Sequence, residues 1–122
     1  MRVISQDGTL DVPYDYFSLS ITGAKIVSGM VEDRNVFSIF CHNLSSPNGT
    51  KLAEYSTEAK ALKAMEMLRK AYEDNKFYHY MSATDTFEKA VSYLSNEEFK
   101  EVTAEYFQFP QDDEIEVRVW QI

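Results

Sequence analysis

The first half of the chain contains short apolar segments that are typical of β-strands: some alternate in part with polar positions, and residues 36–41 are apolar on both faces, as a central strand would be. Six such segments lie at residues 2–5, 10–12, 16–21, 24–31, 36–41 and 52–55. Gly23 separates the third segment from the fourth. The sequence Ser46-Pro47-Asn48-Gly49 predicts the tight turn of a hairpin, because Asn-Gly readily adopts positive φ values. The pattern therefore predicts an antiparallel meander of strands.

The spacing of the apolar positions changes abruptly at Ser56-Thr57. From there to about Asp74, apolar side chains recur on one face of a helix. These side chains are Ala61, Leu62, Met65, Leu68 and Tyr72. Ser56 can accept hydrogen bonds from the free amides of the first turn, and Glu58 complements the positive end of the helix dipole. The pattern predicts one long amphipathic helix lying on the sheet.

The remaining third of the chain indicates short helices followed by strands. Apolar positions at helical spacing predict a short helix from Thr84. Ser95, with a glutamate three positions later, forms the capping-box pattern of another helix. Residues 106–109 predict a strand that ends at Pro110, and residues 114–120 alternate as a second strand.

Together these elements predict an α+β fold: an antiparallel β-sheet meander packed against one long amphipathic helix, with short helices and a C-terminal strand pair. The chain has 122 residues, the usual size of a single domain. Such a domain buries roughly 65–70% of the surface that its unfolded chain exposes. We therefore expect one domain over residues 1–122 that needs neither a disulfide nor a metal for stability.

Charge narrows the classes of partner. Acidic residues outnumber basic ones by 20 to 12, giving a formal net charge of −8 at pH 7. This balance argues against broad contact with DNA, RNA or anionic lipid, because such binding depends on neutralising phosphates. Three interpretations stay open: solubility alone, a local basic pocket for a small anion, and an acidic face that occupies the nucleic-acid channel of another protein.

Two features of the sequence indicate the cellular compartment of the protein. Cys41 is the only cysteine, so no internal disulfide can form. The first residues lack the long apolar run of a signal peptide, and no stretch approaches the ~20 apolar residues that span a bilayer. We expect a cytoplasmic protein without membrane contact.

No arrangement of residues in the sequence predicts catalysis or a metal centre. Cys41 and His42 are adjacent and would point to opposite faces of a strand, while His79 stands alone. The nucleophile motif Gly-x-Ser-x-Gly and the glycine motifs that cradle phosphates are absent. Two histidines leave few general bases for a nucleophile. The sequence therefore predicts a non-enzymatic protein without a metal or cofactor.

A basic-aromatic cluster is the first candidate for ligand binding. Arg69 and Lys70 lie near the predicted end of the long helix, and Phe77, Tyr78 and Tyr80 follow it. Arginine and lysine bind phosphate oxygens, and an aromatic face stacks on a nucleobase. In the alternative interpretation, the two cations complement the negative end of the helix dipole and the aromatic side chains fill the core.

An acidic run is the second candidate. Its carboxylates are those of Glu97, Glu98, Glu101, Glu105, Asp112, Asp113, Glu114 and Glu116, interrupted by Lys100. Carboxylates spaced along one edge can imitate a phosphate backbone for a protein that binds nucleic acid. The alternative is a solvated face without a partner.

Three stretches carry a resemblance to a known group of proteins. They are Arg2-Val3-Ile4-Ser5-Gln6-Asp7-Gly8 with Asp11-Val12-Pro13-Tyr14, Ala53-Glu54-Tyr55-Ser56-Thr57 with Lys60 and Lys63-Ala64-Met65-Glu66-Met67-Leu68-Arg69, and Phe107-Gln108-Phe109-Pro110 with Asp112-Asp113-Glu114-Ile115-Glu116-Val117. In these stretches the chain resembles small proteins of phages, prophages and mobile elements of Gram-positive gut bacteria. Residues 17–49 and 72–106 carry no such resemblance.

The resemblance implies an accessory protein that acts inside an infected host cell. Within that group the chain is similar to the Thoeris anti-defence proteins, which sequester cyclic ADP-ribose signals in oligomeric α+β sponges. A sponge needs cations for a pyrophosphate and an aromatic ring for adenine. Arg69, Lys70, Phe77 and Tyr78 would supply these groups, with Arg118 as a further cation.

The predicted function is therefore capture of a cyclic nucleotide-type immune signal by a homo-oligomer, without catalysis. One alternative is an acidic protein–protein inhibitor of a host defence nuclease, such as a CRISPR nuclease, that mimics DNA. Another is a structural or regulatory phage component without a ligand.

Overall fold

A computed structural model describes residues 1–28, 31–43, 46–82, 95, 97 and 105–117. Its elements are, in order, β1 (Arg2–Ile4), β2 (Asp11–Pro13), a 3₁₀ turn (Tyr14–Tyr16), β3 (Ser18–Ser28), β4 (Val31–Asn43), β5 (Ser46–Tyr55), α1 (Glu58–Ser82), β6 (Tyr106–Gln108) and a second 3₁₀ turn (Asp112–Glu114). The predicted α+β class is confirmed, since two three-stranded sheets are packed against one long helix.

The larger sheet is the predicted antiparallel meander, in the order β3-β4-β5. Its centre is apolar, with Ile39 lying between Ile21 and Ala53. β3 continues through Gly23, so the predicted break between two strands at this glycine is wrong. A Cβ atom at position 23 would lie 3.1 Å from the ring of Phe37 on β4. The glycine therefore makes room for a cross-strand aromatic side chain rather than ending the strand.

The hairpin between β4 and β5 turns earlier than predicted. Asn43 pairs with Ser46, so residues 46–49 belong to β5 and the prediction of a turn there is wrong. Gly49 has the positive φ that the sequence indicated, 84°, but it uses this conformation in a register shift within the sheet. A Cβ atom at position 49 would lie 2.6 Å from the ring of His42, so close packing against that ring also favours glycine.

The smaller sheet joins the N-terminal strands to residues 106–108, in the order β2-β1-β6. β1 is antiparallel to β2 and parallel to β6, so that Val3 lies between Val12 and Phe107. β6 thus pairs with β1, and in the described part of the chain the predicted second strand at 114–120 is not formed. Glu114 ends a 3₁₀ turn, residues 115–117 form no strand, and residues 118–120 lie outside the described part of the chain.

Gln6 connects the two sheets and covers part of the edge of β5. Its backbone amide donates a hydrogen bond to the Leu52 carbonyl at 2.8 Å. Its side-chain amide donates to the Glu54 carbonyl at 3.1 Å and accepts from the Glu54 amide at 3.0 Å. The same side chain donates to the Pro110 carbonyl at 3.1 Å. One polar residue therefore satisfies edge groups on β5 and ties three segments together.

α1 begins with a cap at Thr57, one residue after the predicted cap. Thr57 Oγ1 accepts a hydrogen bond from the Lys60 amide at 3.2 Å. Ser56 does not cap the helix; its hydroxyl donates to the carboxylate of Asp112 at 2.9 Å. The prediction of Ser56 as the cap is wrong because a partner distant in sequence uses its hydroxyl.

α1 also extends further than predicted, ending at Ser82 and not near Asp74. Asn75 is buried and Tyr78 is half-buried, so the face that turns toward the sheet continues past Asp74. The aromatic side chains that were predicted to follow the helix are therefore part of it. The predicted short helices fall within residues 83–104, which lie outside the described part of the chain except for residues 95 and 97.

One apolar cluster unites both sheets and the helix. Its buried members are Val3, Ile39, Cys41, Leu52, Ala53, Tyr55, Ala61, Ala64, Leu68, Phe109 and Ile115. Phe109, directly after β6, is 1% exposed, and its ring meets that of Phe107 edge-on with centroids 5.4 Å apart. The small side chains of Ala61 and Ala64 are fully buried, so the helix backbone approaches the sheet closely.

Candidate functional site

A surface cavity of about 430 Å³ lies where α1 passes the start of β3. It is lined by Tyr14, Asp15, Phe17, Leu19, Met65, Leu68 and Arg69. The 3₁₀ turn after Pro13 supplies the first two side chains, the entry into β3 supplies the next two, and one face of α1 supplies the rest. Its volume falls in the range of small-molecule sites, about 300–1,000 Å³.

The cavity has an apolar floor and a charged rim. Leu68 is buried, and the other apolar side chains that line the cavity are half-buried. Asp15 and Arg69 are exposed. Met65, Leu68 and Arg69 share one face of α1, because residues three and four apart lie above one another on a helix. An apolar lining with a few polar groups is the usual composition of a ligand site.

Asp15 and Arg69 carry opposite charges but do not pair with each other. The ion pairs between described residues join other side chains and include neither of these two. Arg69 forms no hydrogen bond or ion pair with any residue in the described part of the chain. Its planar guanidinium therefore offers a fork of donors that can bind a phosphate or carboxylate group through paired hydrogen bonds.

Tyr72 on α1 holds Asp15 in place. Its hydroxyl donates a hydrogen bond to Asp15 Oδ1 at 2.8 Å, and its ring stacks on Tyr14 with centroids 4.2 Å apart. The hydrogen bond to Asp15 raises the pKa of Tyr72, because it stabilises the protonated phenol beside a negative charge. Lys76 Nζ lies 5.9 Å from the centroid of the same ring. One side chain of the helix thus fixes two residues of the cavity wall.

Of the predicted ligand-binding residues, the structure brings Arg69 to this cavity. Lys70 lies on the exposed side of α1 and forms an ion pair with a carboxylate one turn later, at 2.8 Å. Phe77 is 63% exposed on that side, roughly 10 Å further along the helix axis. Tyr78 is half-buried on a different face. Arg118 lies outside the described residues. The four described residues therefore do not converge on one surface.

The wall of the cavity that precedes β3 was not predicted from the sequence. Tyr14, Asp15 and Phe17 come from a run of aromatic and acidic residues directly after Pro13. The apolar pattern assigned Phe17 to a strand that starts at residue 16 and left Tyr14 and Asp15 between two predicted strands. The available signal was the density of aromatic side chains at a turn, where they cannot all be covered by strand partners.

Asp112, a member of the predicted acidic face, is engaged within the protein. Its Oδ1 accepts hydrogen bonds from the Ser56 amide at 2.7 Å and the Ser56 hydroxyl at 2.9 Å. Lys60 Nζ donates to Oδ2 at 3.2 Å and to the Asp112 carbonyl at 2.9 Å. The hydrogen bonds from Ser56, together with the charge of Lys60, lower the pKa of Asp112. Asp113 and Glu114 are exposed and form no ion pair with a described residue.

A second cavity, of about 560 Å³, opens beside Asp112 at the end of β5. Its polar lining is largely used by the fold, since the Gln111 side chain donates to the backbone carbonyl of residue 6 at 2.7 Å. Its charged lining residues are one cation, Arg34, and two carboxylates, Glu54 and Asp112. This balance is net negative. The cavity beside β3, with one cation and one carboxylate, is the better site for an anion.

The described residues give little support for a metal site or for a nucleophile in the cavity. No group of three or more His, Cys, Asp or Glu side chains among them could hold a metal ion. Cys41 is buried, and burial raises the pKa of its thiol. Ser20 Oγ and His42 Nε2 lie 2.6 Å apart across β3 and β4. Ser20 alternates with Leu19, however, so this pair lies on the sheet face away from the cavity.

The structure is thus that of an α+β protein with a small surface cavity of mixed charge between a helix and the edge strand of a meander. The chain matches no protein-family model, no curated protein and no solved structure. None of the helices in the described part of the chain has the length and apolarity required to cross a membrane.

Proposed function

We propose that this protein binds and sequesters a small nucleotide-type signal, such as an isomer of cyclic ADP-ribose, without changing it chemically. The observation that carries the proposal is the position of Arg69, an exposed guanidinium at the rim of the cavity that no described residue engages. Paired donors on a guanidinium bind phosphate oxygens, and this interaction is strong when the cation has no competing partner.

The remaining lining supports a ligand that carries a base as well as an anion. Tyr14 and Phe17 line the cavity beside the apolar side chains of α1. Aromatic and apolar surfaces take up a nucleobase by stacking, which is favourable for any base. A phosphate alone would bind Arg69 but leave the apolar floor in contact with water.

The biological setting comes from the resemblance to small phage and prophage proteins. The first resembling stretch ends at Tyr14 and the second ends at Arg69, and both residues line the cavity. Capture of a signal in the cytoplasm of an infected cell would withhold it from host defence. A homo-oligomer would add further sites and raise the capacity of such a sponge.

Titration calorimetry with cyclic ADP-ribose isomers tests this proposal. We expect binding by the wild type, at least a tenfold loss for Arg69→Gln, and recovery of the unchanged nucleotide after denaturation. Lys63→Gln is the matched control, because it removes another exposed cation from α1, away from the cavity. Absence of heat and of any shift in melting temperature with every isomer would overturn the proposal.

The variant Lys70→Gln distinguishes between the two faces of α1 that could bind the signal. If the exposed side that carries Lys70 and Phe77 binds the signal, this variant loses affinity and Arg69→Gln does not. If the cavity binds it, the order is reversed.

A second candidate function is inhibition of a host nuclease by an acidic face. Asp113, Glu114 and Glu116 are exposed and are not paired with any described cation. Reversing these three charges to lysine should abolish such inhibition in a nuclease assay. Asp112 should be left unchanged, because its hydrogen bonds to Ser56 and Lys60 support the fold. Full inhibition by the triple variant would exclude this candidate.

A further inference from the structure

Asp15 places a carboxylate in the same cavity as the proposed phosphate-binding Arg69. A carboxylate repels an anion, so its presence calls for a separate role. Its position is fixed, since Oδ1 accepts the hydrogen bond of Tyr72 and the preceding residue, Tyr14, stacks on the Tyr72 ring. Oδ2 accepts no hydrogen bond from any described residue. The cavity therefore presents the Asp15 carboxylate as an acceptor fixed in position and the Arg69 guanidinium as a donor without a partner among the described residues.

We infer that Asp15 is a specificity residue that accepts hydrogen bonds from the vicinal hydroxyls of a ribose, so that the cavity selects ribonucleotides over deoxyribonucleotides. This inference rests on the proposed function and narrows its ligand class. A carboxylate has lone pairs for several hydrogen bonds, and acidic side chains commonly bind ribose hydroxyls in nucleotide sites.

The base, the ribose and the phosphate of a nucleotide each have a counterpart in the lining of the cavity. The ribose lies between the base and the phosphate. If the base contacts the apolar floor and the phosphate contacts Arg69 at the rim, the sugar hydroxyls fall at the rim as well. Asp15 is the carboxylate that lines the cavity there.

The charges of the lining favour the same class of ligand. Asp15 and Arg69 are exposed, opposite in sign and not paired with each other. A ligand with one anionic group and one pair of hydroxyl donors satisfies both side chains. An inorganic anion satisfies Arg69 only and meets repulsion from Asp15.

The test compares AMP, 2′,3′-dideoxy-AMP and inosine monophosphate as competitors of a cyclic ADP-ribose isomer bound to the full chain. We expect the wild type to bind AMP and inosine monophosphate about tenfold more tightly than the dideoxy analogue, the cost of removing hydrogen bonds to a charged acceptor. In Asp15→Asn the ratio of AMP to dideoxy-AMP affinity should fall toward one. The ratio is the readout because neutralising Asp15 also removes repulsion that acts on both nucleotides.

Two further variants separate the roles of the neighbouring residues. Tyr72→Phe removes the hydroxyl that holds Asp15, so the ratio should fall in part while both nucleotides still bind. Tyr72 is thus a positioning residue. Asp113→Asn removes a distant exposed carboxylate and should leave the ratio unchanged.

Each outcome decides the inference. Equal binding of AMP and dideoxy-AMP by the wild type overturns it while leaving the proposed function intact, as does a selective loss with inosine monophosphate, which would assign the acceptor to an amino group of the base. Failure of AMP to compete also counts against it, because AMP carries both groups. Failure of every cyclic ADP-ribose isomer to bind is the separate failure of the proposed function.

Discussion

Two regions of the protein are built from the same three kinds of side chain. One is the cavity beside Asp15, and the other, called the corner here, is formed by Asp112, Lys60 and Tyr55 with Ser56. Each contains a carboxylate, a cation and a tyrosine. At the corner, Asp112 accepts hydrogen bonds from Ser56 and Lys60, and the nearby Tyr55 hydroxyl donates to the Pro110 carbonyl at 2.8 Å. In the cavity, only the carboxylate and the tyrosine are joined, and the cation has no partner among the described residues.

The difference separates a group that supports the fold from a group that is available to a ligand. A hydrogen bond made within the protein contributes to stability, whereas a donor that faces solvent contributes little until a ligand replaces the water. We therefore expect substitutions at the corner to change the free energy of unfolding. Substitutions in the cavity should change binding more than stability.

Truncating one aromatic side chain in each region should give the largest contrast. Phe109, which follows β6 and lies next to the corner, is 1% exposed, so Phe109→Ala should lower the free energy of unfolding by about 3–5 kcal/mol. Phe17, in the cavity wall, is half-buried, and Phe17→Ala should cost about half as much. Urea denaturation of both variants measures this difference, and equal losses would contradict the distinction.

Removing the two carboxylates should give a smaller contrast of the same sign. Asp112→Ala deprives the Ser56 amide of its acceptor and leaves the Lys60 ammonium only the backbone carbonyl of residue 112. We expect a loss of about 1–2 kcal/mol in a partly exposed setting. Asp15→Ala should change stability by less than about 0.5 kcal/mol, because its partner Tyr72 can donate to water. Thermal unfolding of both variants measures this contrast. A larger loss of stability for Asp15→Ala than for Asp112→Ala would contradict it.

Removing the two tyrosine hydroxyls sharpens the same contrast. Tyr55 is 1% exposed, and its acceptor, the Pro110 carbonyl, also accepts from Gln6. Tyr55→Phe should therefore cost about 1 kcal/mol and not more, since the carbonyl keeps one partner. Tyr72→Phe should cost less in stability and should appear in the nucleotide ratio instead. A loss of stability for Tyr72→Phe as large as for Tyr55→Phe would assign Asp15 to the fold.

Acid titration gives the smallest expected effect. The pKa of Asp112 is lowered in the folded protein, first by the hydrogen bond from the Ser56 backbone. Its contribution to stability is therefore present above the unfolded value of about 3.9 and is lost as pH falls through the folded pKa. The difference in unfolding free energy between wild type and Asp112→Asn should shrink as pH falls below about 4.

The pKa of Asp7 is lowered to about 2 by hydrogen bonds from Ser5 and Thr9, so the contribution of Asp7 to the stability of the protein is also lost in acid. It is present in both proteins, so its effect cancels in the difference. A gap between wild type and Asp112→Asn that stays constant down to pH 2 would show that Asp112 acts through shape and not through charge.

Local patterns in the sequence predicted the elements of the fold that depend on local physics. The alternation of apolar residues located the meander, and the change of spacing after Ser56 located the start of α1. The errors fall where distant partners decide the outcome. Gly23 accommodates the Phe37 ring from another strand, and Ser56 donates to Asp112 instead of capping the helix.

The candidate site was predicted only in its helical half for the same reason. Arg69 follows from the helix pattern and from the chemistry of phosphate binding. Tyr14 and Asp15 reach the cavity through a 3₁₀ turn, and their role depends on contacts with Tyr72, distant in sequence. Phe77 was grouped with Arg69 because the helix was expected to end near Asp74, whereas its continuation to Ser82 places Phe77 on another face. Lys70 directly follows Arg69 on the helix and therefore lies about 100° around the axis from it.

The parallel pairing of β1 with β6 has a consequence for the order in which the protein folds. Arg2 pairs with Tyr106, so β1 can complete its pairing only after a segment more than 100 positions later in the chain has been made. Joining such distant segments costs loop-closure entropy, while β3, β4 and β5 meet through short connections. We expect the meander to form on the ribosome before the small sheet closes. Pulse-labelled hydrogen exchange should then show protection at Ile39 earlier than at Phe109, whose amide donates to the Ile4 carbonyl at 3.1 Å when β6 joins β1.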